Sequence, residues 1–362
     1  MAKLGDVCKK ATSNIAQKDL EGHHGNYPIY GASGFISNVD FYQQENPYIA
    51  IVKDGAGIGR VMKLPAKSSV IGTMQYIIPN DTVDIDYLAY AMEHMNLSKY
   101  FTGATIPHIY FKDYRKEELP LPPLYEQRKI AAVLDKVSDL IAKRRQQLDK
   151  LDELVKSRFI EMFGVYPANP MGWEIGTIRD IVTEVRYGSS RPAVDGGKYP
   201  YLRMNNITYG GELDLSDTKR IDIPDNELDK CTVRRGDILF NRTNSKELVG
   251  KTCVYDRDEM MVLAGFVIRI RVKDRILPEF LSAFLNTDFS KQMLLGMCKT
   301  AIGQANINAQ ELQNIGLYLP PVELQRRFVQ FKKETDKSKL AIQKSLEKLE
   351  ILKKALMQKY FG

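Results

Sequence analysis

The sequence predicts a mixed α/β fold: two similar globular domains joined by two long antiparallel coiled-coil helices about a pseudo-two-fold axis. Three observations lead there. The phrase LPPLYEQRKI at 121–130 returns as LPPVELQRRF at 319–328. Behind each phrase runs an apolar stripe at steps of three and four, the period of a helix. The stretches before each phrase hold short strand-like segments, YIAIV, MQYIIP, DILFN and FVIRIRV, broken by loops and short helices.

The two phrases belong to a longer repeat. At a constant offset of 198, Gln127 falls on Gln325, Arg128 on Arg326, Leu148 on Leu346, Leu151 on Leu349 and Phe163-Gly164 on Phe361-Gly362. The match extends backward through Thr102 and Thr300, Ile109 and Ile307, and Leu119 and Leu317. A period this long is a whole domain plus a helix, not a solenoid module. Upstream of residue 100 the match survives only with insertions, laying YPIYG (27–31) over YPYLR (199–203) and IAIVKDGAGIG (49–59) over ILFNRTNSKELVG (238–250). The expected boundaries are a first domain at 1–120, its long helix at 121–165, a second domain at 166–318 and its helix at 319–362.

In the first helix the stripe passes through Ile130, Leu134, Val137, Ile141, Leu148, Leu151, Val155, Phe159 and Met162. In the second it passes through Phe328, Phe331, Ile342, Leu346, Leu349, Leu352, Leu356 and Tyr360. Paired prolines suit a helix start, where missing N–H groups cost nothing, and glycine suits its end. About 40 residues at 1.5 Å each give roughly 60 Å, more than one small core can cover. Each helix therefore needs the other as its partner, although Arg144 and Arg158 stand near the expected seam.

The composition is 44% apolar and 27% charged, with net charge +7. Those figures fit a globular chain with acidic partners such as nucleic acid. No run reaches the roughly 18 apolar residues of a membrane span, so no membrane partner is expected. The N-terminus MAKLGDVCKK lacks the apolar core of a secretory signal. Cys8, Cys231, Cys253 and Cys298 are scattered, which points to reduced thiols and a cytoplasmic location.

Several motifs imitate catalytic ones. VGKT (249–252) lacks the first glycine of a phosphate loop, since that position is Ser245. DGAGIG (54–59) leads into RVMKLPAK, a strand and turn, rather than into a helix. NPY (46–48) is not an adenine-methyltransferase motif. His23, His24, His94 and His108 have no metal spacing, and no carboxylate pair stands out as a nuclease centre. No catalysis, cofactor or metal is expected.

Duplex DNA has local two-fold symmetry, so two basic heads on a dyadic frame can each meet one half-site. Unlike heads should read unlike bases, giving a split, non-palindromic target with an unread spacer. Loop residues with planar or cationic ends are the natural readers. The candidates in the first domain are Lys53, Thr73, Gln75, His108, Tyr110 and Lys112. Those in the second are Arg203, Asn205, Asn206, Asn241, Arg242, Thr243, Asn244, Gln304, Asn306 and Asn308. Lys53 falls under Arg242 in the loose alignment, and His108 under Asn306 in the ungapped one.

The paired LPPLYEQRKI and LPPVELQRRF phrases, each opening a long helix, resemble the two conserved regions of type I restriction-modification specificity (S) subunits. YLRMNNIT, RRGDILFNRTNS, VGKT and TAIGQANIN at 202–308 resemble one kind of target-recognition domain of that family, and YPIYGASGF with VKDGAGIGRV resembles another. The resemblance spans essentially the whole chain. It implies a non-catalytic reader of double-stranded DNA serving host defence. Its partners would be two adenine-methyltransferase (M) subunits and, in the full complex, two restriction (R) subunits. The alternatives are a specificity subunit of a fused restriction-methylation enzyme and a coiled-coil scaffold that reads no DNA.

Overall fold

Tyr48–Val52 reads YIAIV, apolar on both faces, and the packing shows why. Successive side chains of a strand point to opposite sides. Ile49 and Ile51 join Tyr87, Leu88 and Ala91 of the helix Ile85–His94 in one core. Tyr48, Ala50 and Val52 join Val70, Met74 and Tyr76 in another. A strand covered on both sides has no solvent face on which polar residues could alternate.

In this computed structural model, which describes residues 1–103, 107–245, 248–301 and 304–362, that strand belongs to a four-stranded antiparallel sheet. Its order is Cys8–Thr12, Met74–Pro79, Tyr48–Val52, Val61–Leu64. In a second sheet Tyr27–Gly31 lies between antiparallel Gly34–Val39 and parallel Ser69–Val70. Ala2–Lys3 pairs with Glu118–Leu119. These elements, with one part of each long helix, form the unit Met1–Arg145 plus Gln343–Gly362.

The unit Gln146–Ile342 repeats the scheme. Its four-stranded sheet runs Val182–Tyr187, Val267–Val272, Ile238–Asn241, Thr252–Val254, again antiparallel throughout. Tyr199–Leu202 lies between antiparallel Lys219–Ile221 and parallel Met261–Leu263, and Ile175–Thr177 pairs with Gly316–Tyr318. The duplication that is only loose in the sequence before residue 100 thus persists in the strand order of the large sheet, while the second unit adds Thr232–Val233 beside Met261–Leu263 and a small sheet of Thr243–Asn244, Gln304–Asn306 and Lys299–Ala301. Many apolar and β-branched residues satisfy the same strand environment, so identity decays while topology persists.

The long helices are Leu124–Phe163 and Val322–Phe361, of 40 residues each. Within the first unit, Ala131 and Leu134 share a core with Met357 and Phe361, and Arg145 meets Glu350 at 2.7 Å. Residue numbers rise on one helix as they fall on the other, so the two run antiparallel. Within the second unit the same holds: the Phe159 and Phe163 rings lie 5.2 and 5.8 Å from Phe328, and Lys339 meets Asp152 at 2.7 Å. Arg158, awkward in the sequence stripe, covers the Phe331 ring at 5.8 Å and pairs with Glu161. Gly164 ends the first helix at φ +83°, its N–H bonded to the Ile160 carbonyl.

Candidate nucleic-acid interface

In each unit the third strand of the large sheet runs into a hairpin loop, and both loops are closed by the same backbone bonds. In the first, Val52 N–H donates to the Arg60 carbonyl and Gly59 N–H to the Val52 carbonyl. In the second, Asn241 N–H donates to Lys251 and Gly250 N–H to Asn241. Gly59 and Gly250 both sit in the left-handed region, at φ +81° and +78°. A Cβ on Gly59 would also meet the Ser98 nitrogen at 2.5 Å. DGAGIG and the segment ending in VGKT are therefore the same structural loop, and each leads into a strand. Lys251 is buried and donates to the Met204 carbonyl at 2.9 Å, which leaves its ammonium committed inside the fold rather than to a phosphate.

The residue that opens each loop is held identically. Lys53 N–H donates to Thr73 and the Lys53 carbonyl accepts from Ile109, both at 3.0 Å. Arg242 N–H donates to Phe266 and its carbonyl accepts from Ile307, again both at 3.0 Å. The next residue bonds across to a matching partner. Asp54 Oδ1 lies 2.6 Å from His108 Nδ1, while the Thr243 hydroxyl donates to Asn306 Oδ1 at 3.1 Å. The alignments of Lys53 with Arg242 and of His108 with Asn306 thus describe equivalent places in the fold.

Around the first loop, Asp54 also accepts from the Lys53 ammonium at 2.6 Å, so one carboxylate balances two candidate donors. Tyr110 stacks on His108, with centroids 6.4 Å apart, and the Lys112 ammonium lies 5.3 Å from the Tyr110 ring. Thr73, Tyr110 and Lys112 are exposed. Lys53, Thr73, His108, Tyr110 and Lys112 therefore form one continuous surface, which Asp54 completes. Phe101, another residue that sequence reasoning passed over, is also exposed there, with Tyr110, Lys99 and Lys116 along one shallow depression.

Around the second loop, Arg242 lies over the Tyr187 ring, 4.8 Å from its centroid. Tyr187 and Phe266 are both exposed, and neither was among the expected readers. Their signal in the sequence was weak, because each ends or precedes a strand and reads there as a β-former. Asn205 is exposed, and Arg203 spends its guanidinium on Asp217 at 2.8 Å. Asn308 caps the helix Ala309–Gln313 by accepting from Gln310 and Glu311 N–H groups. Asn244 accepts from the Ser245 N–H. Gln304 falls outside the residues whose side chains are described.

Four candidates need correction. Gln75 is buried and accepts from the Tyr114 hydroxyl at 2.7 Å. Asn206 is buried, accepting from Arg203 N–H and donating to the Asp214 carbonyl. Asn241 is wholly buried in the strand Ile238–Asn241. Thr243 is nearly as enclosed, its hydroxyl committed to Asn306. Buried amides are retained where the fold satisfies them, and these shape the loops from within. A base edge outside would be beyond their reach in this arrangement.

Two copies of one mixed fold, each presenting a buttressed hairpin loop with a cation at its opening, make up the chain. The chain belongs to the type I restriction modification DNA specificity family, whose domain pattern matches residues 1–153 and 170–353. It is 24% identical over 285 residues to the type I restriction enzyme EcoKI specificity subunit of Escherichia coli K12, covering 73% of this chain. That match takes in 61% of the EcoKI subunit, less than two thirds of its length. It is 27% identical to the MjaVIII specificity subunit of Methanocaldococcus jannaschii, with 99% of this chain and 90% of that one covered. Among solved structures, the type I restriction-modification S subunit from M. genitalium superposes with a TM-score of 0.58 at 15% identity, over 100% of this chain and 95% of that one.

Proposed function

We propose that this chain is the DNA-reading subunit of a type I restriction-modification assembly. Each globular part reads one half of a bipartite, non-palindromic site on double-stranded DNA, the first around Lys53, His108, Tyr110 and Lys112, the second around Arg242, Asn205 and Asn306. The long helices set the unread spacer and carry the docking surface for two adenine-methyltransferase subunits, with two restriction subunits joining the full complex. The chain itself is non-catalytic and works in the cytoplasm.

The observation that supports this reading most is the equivalence of the two hairpin loops. A duplicated scaffold has kept one backbone arrangement while changing the side chain it presents, Lys53 in one copy and Arg242 in the other. That is the pattern expected where geometry must persist and the base that is read must vary. Expression with a methyltransferase subunit in cells lacking other adenine methylation, followed by methylome sequencing, tests it. The expected result is a split motif with two unlike halves and a constant gap. A palindromic motif, or methylation without sequence preference, overturns the proposal.

A further inference from the structure

Arg242 differs from most arginines of its unit. Arg191, Arg203 and Arg271 are each tied to a carboxylate, Glu227, Asp217 and Asp237 respectively. Arg242 makes one weak bond, from Nη1 to the Gly265 carbonyl at 3.4 Å, and among the described residues no carboxylate is paired with it. Its Nε is enclosed and meets no acceptor among the described residues. Its backbone is pinned on both sides, by Phe266 and Ile307. Its guanidinium rests on Tyr187, whose hydroxyl is held in turn by the Ala309 N–H at 2.8 Å.

A guanidinium has five donors in a rigid plane. Packing that plane against an aromatic face restricts its rotation while leaving the outer N–H edge available. A fixed planar fork with no carboxylate on it among the described residues suits two acceptors side by side, and guanine offers O6 and N7 in the major groove. Among the described residues, the first unit lacks this device. Thr12 stands where Tyr187 does, since Thr12 and Tyr187 pair with Gln75 and Ile268, which lie two residues beyond the equivalent Thr73 and Phe266. There the cation is Lys53, and Asp54 already holds it.

We infer that Arg242 reads a guanine in the half-site of the second unit and that Tyr187 is the positioning residue that makes this contact specific. The inference rests on the DNA-reading role proposed above. Selection of full-length protein on randomised duplexes separates the two. Wild type, Arg242→Lys, Tyr187→Leu and Tyr187→Phe are compared, each first checked for an unchanged thermal transition. Arg242→Lys keeps the charge and loses the fork. It should lower discrimination at one guanine by about 5- to 150-fold and leave the other half-site intact. Tyr187→Leu should relax the same position, and Tyr187→Phe, which keeps the ring, should retain most of the preference.

An unchanged guanine preference in Arg242→Lys overturns the inference and leaves DNA reading standing. Equal weakening on every sequence overturns it too, making Arg242 a phosphate contact. If Tyr187→Leu does not fold, Arg242→Lys decides the guanine contact, and Tyr187→Phe is joined by Tyr187→Trp, which must also keep the preference. If wild type selects no sequence at all, the underlying role fails with it.

Discussion

Gln127 accepts the backbone N–H of Asp84 at 2.8 Å through its buried side-chain oxygen. Its amide nitrogen donates to the carbonyls of Thr82 and Pro122. Gln325 repeats every bond, accepting from Leu277 N–H at 2.8 Å and donating to Arg275 and Pro320. Asp84 and Leu277 are the residues that begin the helices Ile85–His94 and Pro278–Leu285. Each glutamine therefore fastens its long helix to the start of a domain helix, and the recurrent Gln in the two phrases has a structural cause.

Replacing Gln127 or Gln325 by leucine strands one N–H and two carbonyls in a closed joint. Each orphaned buried group costs about 1–3 kcal/mol. Thermal unfolding of the full chain should show an earlier transition for either variant, with Gln→Glu no rescue because the donor is gone. Loss of less than about 0.5 kcal/mol in both would show that water satisfies the joint.

A second buried device lies in the large sheet of the second unit. Arg269, only 2% exposed, meets Glu184 at 2.6 Å, and Arg271 joins Glu184 at 2.9 Å to Asp237 at 2.7 Å. Burial pushes the Glu184 carboxyl up, but Arg269 and Arg271 outweigh it and hold it below its ordinary value. Its folded pKa is thus lower than its unfolded one, so its contribution is present above the unfolded value and lost as pH falls through the folded one. Glu184→Leu should cost about 3 kcal/mol by leaving Arg269 uncompensated. Glu184→Gln should flatten the acid limb of the stability profile, and an unchanged acid limb would remove Glu184 from that role.

These two sites show what the sequence could and could not reveal. The glutamines sat in a repeated phrase, and the helix stripes had a period, so both were visible as pattern. Asn206, Asn241 and Gln75 read as surface amides because a strand or turn made of polar letters looks exposed until its neighbours are known. Tyr187 and Asp54 were missed for a related reason. Their importance lies in which side chains they meet, Arg242 and the Lys53–His108 pair, and those contacts cross 55 and 54 positions of sequence for Tyr187–Arg242 and Asp54–His108. No local period encodes such meetings.

Lys291 lines a cavity of about 280 Å³ together with Tyr209, Asn286 and Phe328. Its ammonium donates to the Gly250 carbonyl at 2.8 Å. Burial, reinforced by the nearby Lys251 and Lys156 cations, pulls its pKa down to about 8 from an ordinary 10.5. The unfolded chain then holds more protons between those values, so this group makes stability rise with pH from about 8 to 10.5. Denaturant titrations of wild type and Lys291→Met at pH 7 and pH 10 should show wild type gaining on the variant. A difference that stays constant across that range would place Lys291 in ordinary solvent.

Asp54 presents a contrasting electrostatic problem at the first loop. A carboxylate beside a DNA backbone repels it, yet Asp54 holds both Lys53 and His108 in place. Asp54→Asn keeps the shape but replaces one of the two acceptor oxygens, which face Lys53 and His108, by an N–H donor and releases the Lys53 charge. Two effects should part company. Non-specific duplex binding should tighten, and its dependence on salt should steepen by about one counterion, because one more cation is available to phosphate. Selectivity should meanwhile fall in the half-site read by the first unit alone, because Lys53 is no longer aimed. Fluorescence anisotropy across a salt series, run on specific and scrambled duplexes, measures both. Should Asp54→Asn bind scrambled DNA no more tightly than wild type at any salt, the loop carrying Lys53 does not face the phosphates, and the first half-site must be read from elsewhere on that unit.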